Sequence, residues 1–530
     1  MLEIRITRSG QPTARIGGRY LHSPYDPEQE ASRFAETNLA EESPAAILLL
    51  GAELGYARAA LRRLHPEAGL LAVFYDPELR ARSLDRPGPD TSWQPGQGPL
   101  LEFLRRTVEE LHTEGLAVLE WPASARLYPE ASLDAHRQVA QLLRERRGSL
   151  ATAAASGRRW LVNSFRNYLG LERILAPLPN ASERPLLIAA SGPSLEQALP
   201  ALAARRDLMT LWCLPSALSC LLEHGLAPDL VVSTDSGFFA AAHLQPLARA
   251  PVPLAMPLSA APGAWAFPGG TLLICQDSPY EEALLAAAGY PAMKVPPQGT
   301  VAATALDMAL RSTRCPVVWA GLDLCYLDLR GHARPSFFDR FMLARARRTG
   351  PFEHQAFALA EEQAPNRLAG NQARSGLALE TYAGWFAALP ANKSERLYRL
   401  NPSPVELQGL SKLDNSGLAR LLEVQAASGP PHRTSRHPDY PDRRTRHRLA
   451  LALLEGWRAA CARRPGVQEL LQDPQLSSVA YHFDAAGLAG VLRLARRRGG
   501  SAAQDRWADL LHRLEGFLAA WAGRLDTASP

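Results

Sequence analysis

Cysteine is scarce in this chain, net charge is small, and no long apolar run occurs in its 530 residues. The six cysteines (Cys213, Cys220, Cys275, Cys315, Cys325 and Cys461) form no CxxC and stand at no zinc spacing with histidine. That excludes the common cysteine-based metal sites and leaves buried free thiols in a reducing compartment. A formal net charge of +5 is too weak for a general nucleic-acid binder. No stretch approaches the roughly 18 to 20 apolar residues of a membrane span. Met1-Leu2-Glu3-Ile4-Arg5 opens no signal-peptide core, so a soluble, cytoplasmic chain is expected. Catalytic signatures are missing too. GxxxxGK followed by Ser or Thr is absent, which excludes P-loop phosphoryl transfer. GxSxG and HExxH are absent, and no Asp-x-Asp pair stands beside a strand to hold a metal ion. The chain is expected to use no metal.

What is present is a globular composition. Hydrophobic residues make up 46% of the chain, enough for sizeable cores. At about 150 residues per domain the length suggests roughly three domains. Residues 1–150 read as a first α/β domain. Ile47-Leu48-Leu49-Leu50 is a strand, Gly51 to Tyr56 a glycine turn leading into a helix, and Leu70 to Phe74 a second strand ending at Asp76. In a cofactor-binding version of this unit Asp76 would meet a ribose hydroxyl. Here Glu53 stands where a phosphate would approach, so a structural Rossmann-like domain is the preferred reading. Upstream, His22-Ser23-Pro24-Tyr25-Asp26-Pro27 marks a turn before a helix. Residues 135–178 look helical and basic, with 151–180 serving as a helical linker.

Residues 181–415 alternate strands and helices, which predicts a mostly parallel sheet with helices on both faces. The strands expected are Leu186–Ala190, Met209–Cys213, Leu230–Ser233, Thr271–Cys275 and Val317–Ala320. Ligands bind such sheets beyond the carboxyl ends of the strands, and four segments there carry chemistry. Ser191-Gly192-Pro193-Ser194 follows an apolar strand and opens a helix, the setting in which free N–H groups and the helix dipole hold an anion. Gly192 permits close approach, and Ser194 is expected to cap the helix. Asp235 ends the next-but-one strand, where it either reads a ribose or base or acts as a helix N-cap. Gln298-Gly299-Thr300 is a second small-residue turn that opens a helix. Gly321-Leu322-Asp323-Leu324-Cys325-Tyr326 follows a buried strand, with Asp328 and His332 in the next loop. A histidine beside a tyrosine at an anion site suits general acid–base work.

Residues 416–448 read as a linker. From Gly429 to Arg448 it holds four prolines, six arginines, three histidines and two aspartates. Its readings are a solvated connector or a basic patch for an acidic partner. Residues 449–530 form a helical domain in which Trp507, Leu510, Leu511, Leu514, Phe517, Leu518 and Trp521 make one apolar stripe. That stripe packs either on the chain's own core or on a second subunit, and the sequence leaves the oligomeric state open.

Together these segments resemble the motility-associated factor (Maf) family of flagellin glycosyltransferases, whose central domain is similar to bacterial sialyltransferases. The likeness covers most of the chain. His22 to Ala31, the Gly51–Tyr56 turn, and Trp160, Asn163 and Asn167 are similar to family signatures. Ser191 to Leu195 corresponds to a nucleotide-phosphate loop, and His332-Ala333 matches a downstream His-Ala. Leu329-Arg330-Gly331 and Thr234-Asp235-Ser236 depart from the common pattern. The resemblance implies a central Rossmann-like, sialyltransferase-like domain. It also implies transfer of a nonulosonic acid, pseudaminic or legionaminic in type, from a CMP donor to Ser or Thr of flagellin, without a further cofactor. In that reading amides near Gly192 and Gly299, with Ser194, Thr300 and Tyr326, hold the CMP phosphate. Gln298 and Gly321 belong to the same turns, Asp235 and Ser216 read the nucleoside, and Asp323 supports the loop or the ribose. His332 is the candidate base for the acceptor hydroxyl. The alternatives are a 6-hydroxymethyl-dihydropterin diphosphokinase, which would want clustered acids for Mg²⁺, and a non-catalytic flagellar assembly factor.

Overall fold

A parallel sheet of nine strands carries the centre of the chain, and a smaller parallel sheet of four precedes it. The computed structural model describes residues 2–40, 42–85, 87–108, 110–178, 184–263, 267–327, 329–361, 364–365, 373–425, 440–495 and 501–527. Contacts divide the chain into two compact units, residues 1–158 with 458–519, and residues 159–457 with 520–530.

In the first unit β1 (Leu2–Ile6), β2 (Pro12–Ile16) and β3 (Arg19–Tyr20) form an antiparallel sheet. Then β4 (Ala46–Leu50), β5 (Gly69–Val73), β6 (Ser92–Trp93) and β7 (Leu116–Glu120) form a parallel sheet in the order β6-β5-β4-β7. Every residue of β4 is buried, which is why it reads as an unbroken apolar run. The HSPYDP segment is structural. Asp26 caps the helix Pro27–Leu39 by accepting from Gln29 N–H at 2.9 Å, and the buried His22 ring lies 4.6 Å from that of Trp121. The apolar stripe of the C-terminal helix Ser501–Thr527 is buried within the chain. Trp507 donates to Pro465 O at 2.8 Å, and the Phe517 ring lies 5.2 Å from that of Phe483.

At the carboxyl edge of the four-stranded sheet the nucleotide position is filled from within. Glu53 is fully buried and accepts from Tyr75 N–H at 2.8 Å and Asp76 N–H at 3.3 Å. Asp76 is engaged elsewhere, capping the helix Pro77–Ala81 and accepting from the Tyr128 hydroxyl at 2.7 Å. Burial pushes the Glu53 carboxyl up to about 8 from its ordinary 4.5, against the two N–H groups that favour its charge. The folded chain therefore holds, between pH 4.5 and 8, a proton that the unfolded chain has released, and stability falls as pH rises through that window. Glu53→Gln should flatten this fall, read as thermal midpoints at pH 5 and pH 8. Identical pH dependence in the variant would contradict a buried, protonated Glu53.

In the second unit β8 (Leu186–Ala189), β9 (Thr210–Cys213), β10 (Leu230–Val232), β11 (Leu254–Met256), β12 (Thr271–Cys275), β13 (Ala292–Lys294) and β14 (Val317–Ala320) are joined by β18 (Leu397–Leu400) and β19 (Ser411–Leu413) in one sheet. A small antiparallel sheet of β15 (Tyr326–Leu327), β16 (Ala364–Pro365) and β17 (Ala373–Ser375) follows β14. The five expected strands are present, each within one residue of its expected ends. β11, β13, β18 and β19 are additional. They are three or four residues long and interrupted by polar or proline neighbours, so periodicity alone did not mark them. Trp319 of β14 is fully buried and meets Phe386 edge-to-face with centroids 5.8 Å apart, a pairing worth about 0.5–1.5 kcal/mol beyond its buried area.

Five helices position the site: α1 (Pro129–Gly170), α2 (Leu195–Ala203), α3 (Phe238–His243), α4 (Val301–Ser312) and α5 (Phe337–Arg345). α1 stops at Gly170, short of the expected 178, because Ile174 goes on to bridge Thr271 at the sheet. Helices Asn415–Gln425 and Arg443–Ala462 occupy the two ends of the expected linker, whose residues 426–439 lie outside the described residues.

Candidate functional site

The order of the nine strands, β13-β12-β11-β10-β9-β8-β14-β18-β19, locates the site. From β8 the chain winds outward to β13. It then returns through α4 to β14, which pairs in parallel with β8, Ala320 opposite Ala189. The winding direction reverses between β8 and β14, and the crevice beyond their carboxyl ends is where doubly wound sheets bind ligands. The Ser191–Ser194 loop leaves β8 and the Gly321–Tyr326 segment leaves β14, so the reversal brings together two motifs far apart in the chain.

The two loops are locked to each other. Gly192 N–H donates to Gly321 O at 2.8 Å. Asp323, 1% exposed, accepts from Ser194 N–H at 2.8 Å and from Ser194 Oγ at 2.5 Å. Neither glycine can be enlarged. A Cβ on Gly192 would lie 2.5 Å from Asp323 Oδ2 and 2.6 Å from Gly321 O; one on Gly321, at φ +70°, would lie 2.4 Å from Ala190 O.

This corrects two expectations. Ser194 does not cap α2; its hydroxyl is turned to Asp323. The amides expected to be free for an anion at Gly192 and Ser194 are taken, one by a carbonyl and one by a carboxylate. A carboxylate at the start of a helix satisfies the same donors and dipole that a phosphate would. Of the two roles expected for Asp323, the geometry is that of a loop support.

The other candidate residues are held by local partners. Ser216 Oγ donates to Ser191 Oγ at 2.8 Å, joining the loop after β9 to the loop after β8. Thr300 caps α4, its Oγ1 accepting from Ala303 N–H at 2.9 Å. The N–H groups of Val301 and Ala302, in the first turn of α4, have no acceptor within the helix. Gly299, at φ +73°, is exposed and faces open space. Gln298 is held through its Oε1, which accepts from Trp385 Nε1 at 3.1 Å. Pro193 is buried in the locked loop. Asp235 is exposed and accepts from Gly237 N–H at 2.8 Å, just ahead of α3, whose N-cap is Gly237 itself.

The end of α1 fixes the loops that carry Asp235, a function of Asn163 and Asn167 that the sequence did not reveal. Asn163 Nδ2 donates to Ser236 O and Ser259 O, both at 3.2 Å. Asn167 Nδ2 donates to Leu258 O at 2.7 Å and Ala260 O at 3.0 Å. Both side chains are buried. Two asparagines one turn apart on a helix were the available signal, since a buried amide must find partners.

The segment after β14 folds back over α2. Ala333 N–H donates to Ser191 O at 2.6 Å, and Glu196 accepts from Arg334 N–H at 2.8 Å and Arg330 at 2.9 Å. This places half-buried His332 beside the serine loop. Its ring lies 6.0 Å from that of buried His243 at the end of α3. Burial lowers the pKa of both; His243, with His332 beside it, falls to about 4. Both imidazoles are therefore neutral at pH 7, the form a general base requires. Tyr326 lies in β15, paired with Arg374, and its ring covers Gly331. Asp328 lies outside the described residues. Among the described residues no group of three His, Cys, Asp or Glu side chains is placed to hold a metal ion, and no helix is long and apolar enough to cross a membrane.

Residues 159–329 match the family described as 6-hydroxymethylpterin diphosphokinase MptE-like. An uncharacterized protein of Treponema pallidum (strain Nichols) is 29% identical over 321 residues, 59% of this chain and 68% of that protein. The solved structure of the MAf glycosyltransferase from Magnetospirillum magneticum AMB-1 covers 99% of this chain, with 92% of its own length matched, at a TM-score of 0.58 and 14% identity. At that identity the likeness is one of fold. The chain thus contains an MptE-like domain and is folded, across nearly its whole length, like the MAf glycosyltransferase.

Proposed function

We propose that this chain is a cytoplasmic glycosyltransferase that moves a nonulosonic acid, pseudaminic or legionaminic in type, from a CMP donor to Ser or Thr hydroxyls of flagellin. The observation that carries the reading is the crevice at the β8/β14 reversal, with hydroxyls at its edge and a neutral histidine at its mouth. The CMP phosphate is assigned to the first turn of α4, at Gly299 and Thr300, and to the Ser191–Ser216 hydroxyl pair. Gly192, Ser194, Gly321 and Asp323 are the brace that holds this wall. Asp235 reads the nucleoside from the loop pinned by Asn163. His332 takes the proton of the acceptor hydroxyl as its oxygen bonds to the anomeric carbon and the bond to the CMP phosphate breaks. A single-phosphate leaving group is one that helix amides and hydroxyls stabilise without a divalent ion. The likeness of the central domain to sialyltransferases belongs to the same proposal.

The test is CMP release and the mass gain of flagellin when the purified protein meets CMP-pseudaminic or CMP-legionaminic acid. No release with either donor would overturn the reading, and so would loss of activity on metal chelation. With a neutral His332, transfer should hold as pH falls from 8 past about 6.5, where an ordinary histidine is half protonated. His332→Gln should lower transfer by about 10²–10⁴-fold while leaving donor affinity unchanged.

The name of the matched family favours a second reading, transfer of the terminal diphosphoryl group of ATP to the hydroxyl of a hydroxymethylpterin, with AMP as the leaving group. That chemistry would draw on acids at the same edge, where Asp323 is already bonded twice to Ser194 and Asp235 is bonded to Gly237 N–H. AMP formation from ATP and hydroxymethyl-dihydropterin would decide for it. A non-catalytic flagellar assembly factor would bind flagellin and release neither nucleotide.

A further inference from the structure

Beside the candidate site lies an aromatic surface that none of the roles above uses. Phe238 and Phe239, at the start of α3, are 64% and 40% exposed. They meet Phe337, Phe338 and Phe341 of α5. The Phe238 ring lies 6.2 Å from Phe337 and 6.1 Å from Phe341, and the Phe239 ring 5.7 Å from Phe338 and 5.4 Å from Phe341. The patch runs into the site: the Phe338 ring is 6.0 Å from His332, and the Phe337 ring 6.0 Å from His243. Contiguous exposed aromatic surface of this kind marks a contact face.

The charges around the patch narrow its occupant. Arg340 pairs with Glu223, and Arg334 with Asp339. Arg345 lies over the Phe341 ring at 5.1 Å. Arg345, Arg347 and Arg348 are exposed and form no ion pair among the described residues, so the α5 side of the rim is left cationic. Asp235 is the carboxylate on the α3 side. A single nucleobase or sugar would cover one or two of the five rings and would want hydrogen-bond donors among them. Five rings on two helices with a cationic rim suit a length of polypeptide with apolar anchors and flanking carboxylates.

We propose that the α3/α5 face docks the acceptor polypeptide, taking an apolar segment flanked by acidic residues and presenting its hydroxyl to His332. The inference rests on the glycosyltransferase reading, and its test separates the two. Phe238→Ser/Phe239→Ser alters only exposed rings, and Arg345→Glu/Arg347→Glu reverses the rim. The probe is monomeric flagellin from the organism that encodes this chain. Its binding is measured without donor, beside CMP release from the donor without flagellin. Each variant should bind flagellin at least about tenfold more weakly, the loss of a single hot spot, with donor-only CMP release unchanged. Wild-type flagellin affinity in both variants would overturn the proposal. So would flagellin affinity that stays intact while self-association, or binding to phosphatidylglycerol vesicles, is lost. Weakened flagellin binding by variants of a wild type that releases no CMP would sink the donor reading and leave the docking face standing.

Discussion

Gly192→Ala is expected to reduce donor turnover by at least about a hundredfold, the scale on which loss of a pre-organised group registers. The added methyl meets Asp323 Oδ2 at 2.5 Å and Gly321 O at 2.6 Å, both closer than real Cβ contacts come. One neighbour is backbone and the other a buried carboxylate already bonded twice, so neither gives way by rotating. The Ser191–Ser194 loop must lift from the Gly321 segment, and the Gly192 N–H bond to Gly321 O goes with it. Ser191 would move away from Ser216, and the Ala333 bond to Ser191 O would pull His332 along. CMP release measured beside the thermal midpoint checks this. A variant with wild-type turnover would show that the loop lock is irrelevant to donor handling.

The second large effect is expected at Asp323. Asp323→Ala leaves the N–H and hydroxyl of buried Ser194 without their acceptor, and each unsatisfied buried group costs about 1–3 kcal/mol. The variant should lose stability and, because the brace holds one wall of the crevice, about 10²-fold in turnover. Asp323→Asn keeps the shape but turns an amide toward one of the two donors, so it should fall between wild type and alanine in both measurements. Ser194→Ala should cost less, since it removes one donor and the backbone N–H bond stays. The order alanine, asparagine, wild type in both stability and turnover is the signature of a brace. Lost turnover at full stability would instead place Asp323 on the substrate.

Much of this site was legible in the chain. β8 and β14 are apolar runs that stop at small residues, and such a run in a parallel sheet ends at the ligand edge. The Ser191 and Gly321 turns could therefore be placed at one edge before any pairing was known, whereas the strand ahead of the Gly299 turn, β13, was too short to mark. What each side chain does was less legible. Ser194 looks like a cap because serine before a helix usually is one; nothing local shows that Asp323, far along the chain, competes for its hydroxyl. Glu53 could be read as an obstacle to a phosphate, but not as the acceptor for Tyr75 and Asp76. The Phe238-Phe239 and Phe337-Phe338 pairs carry no local signal, because their common surface exists only after α3 and α5 meet.

The crossover through α4 also fixes when the crevice comes into being. Until β14 is inserted beside β8, β8 is an edge strand, Ser194 has no carboxylate partner, and Gly321 is not there to hold Gly192. A nascent chain that has emerged only as far as β13 has six of the nine strands and still lacks the crevice. Pairing across so long a separation in sequence is slow to form. On the proposed function, donor binding is thus a late event in folding, and retention on a nucleotide matrix would report that the last central strand has arrived.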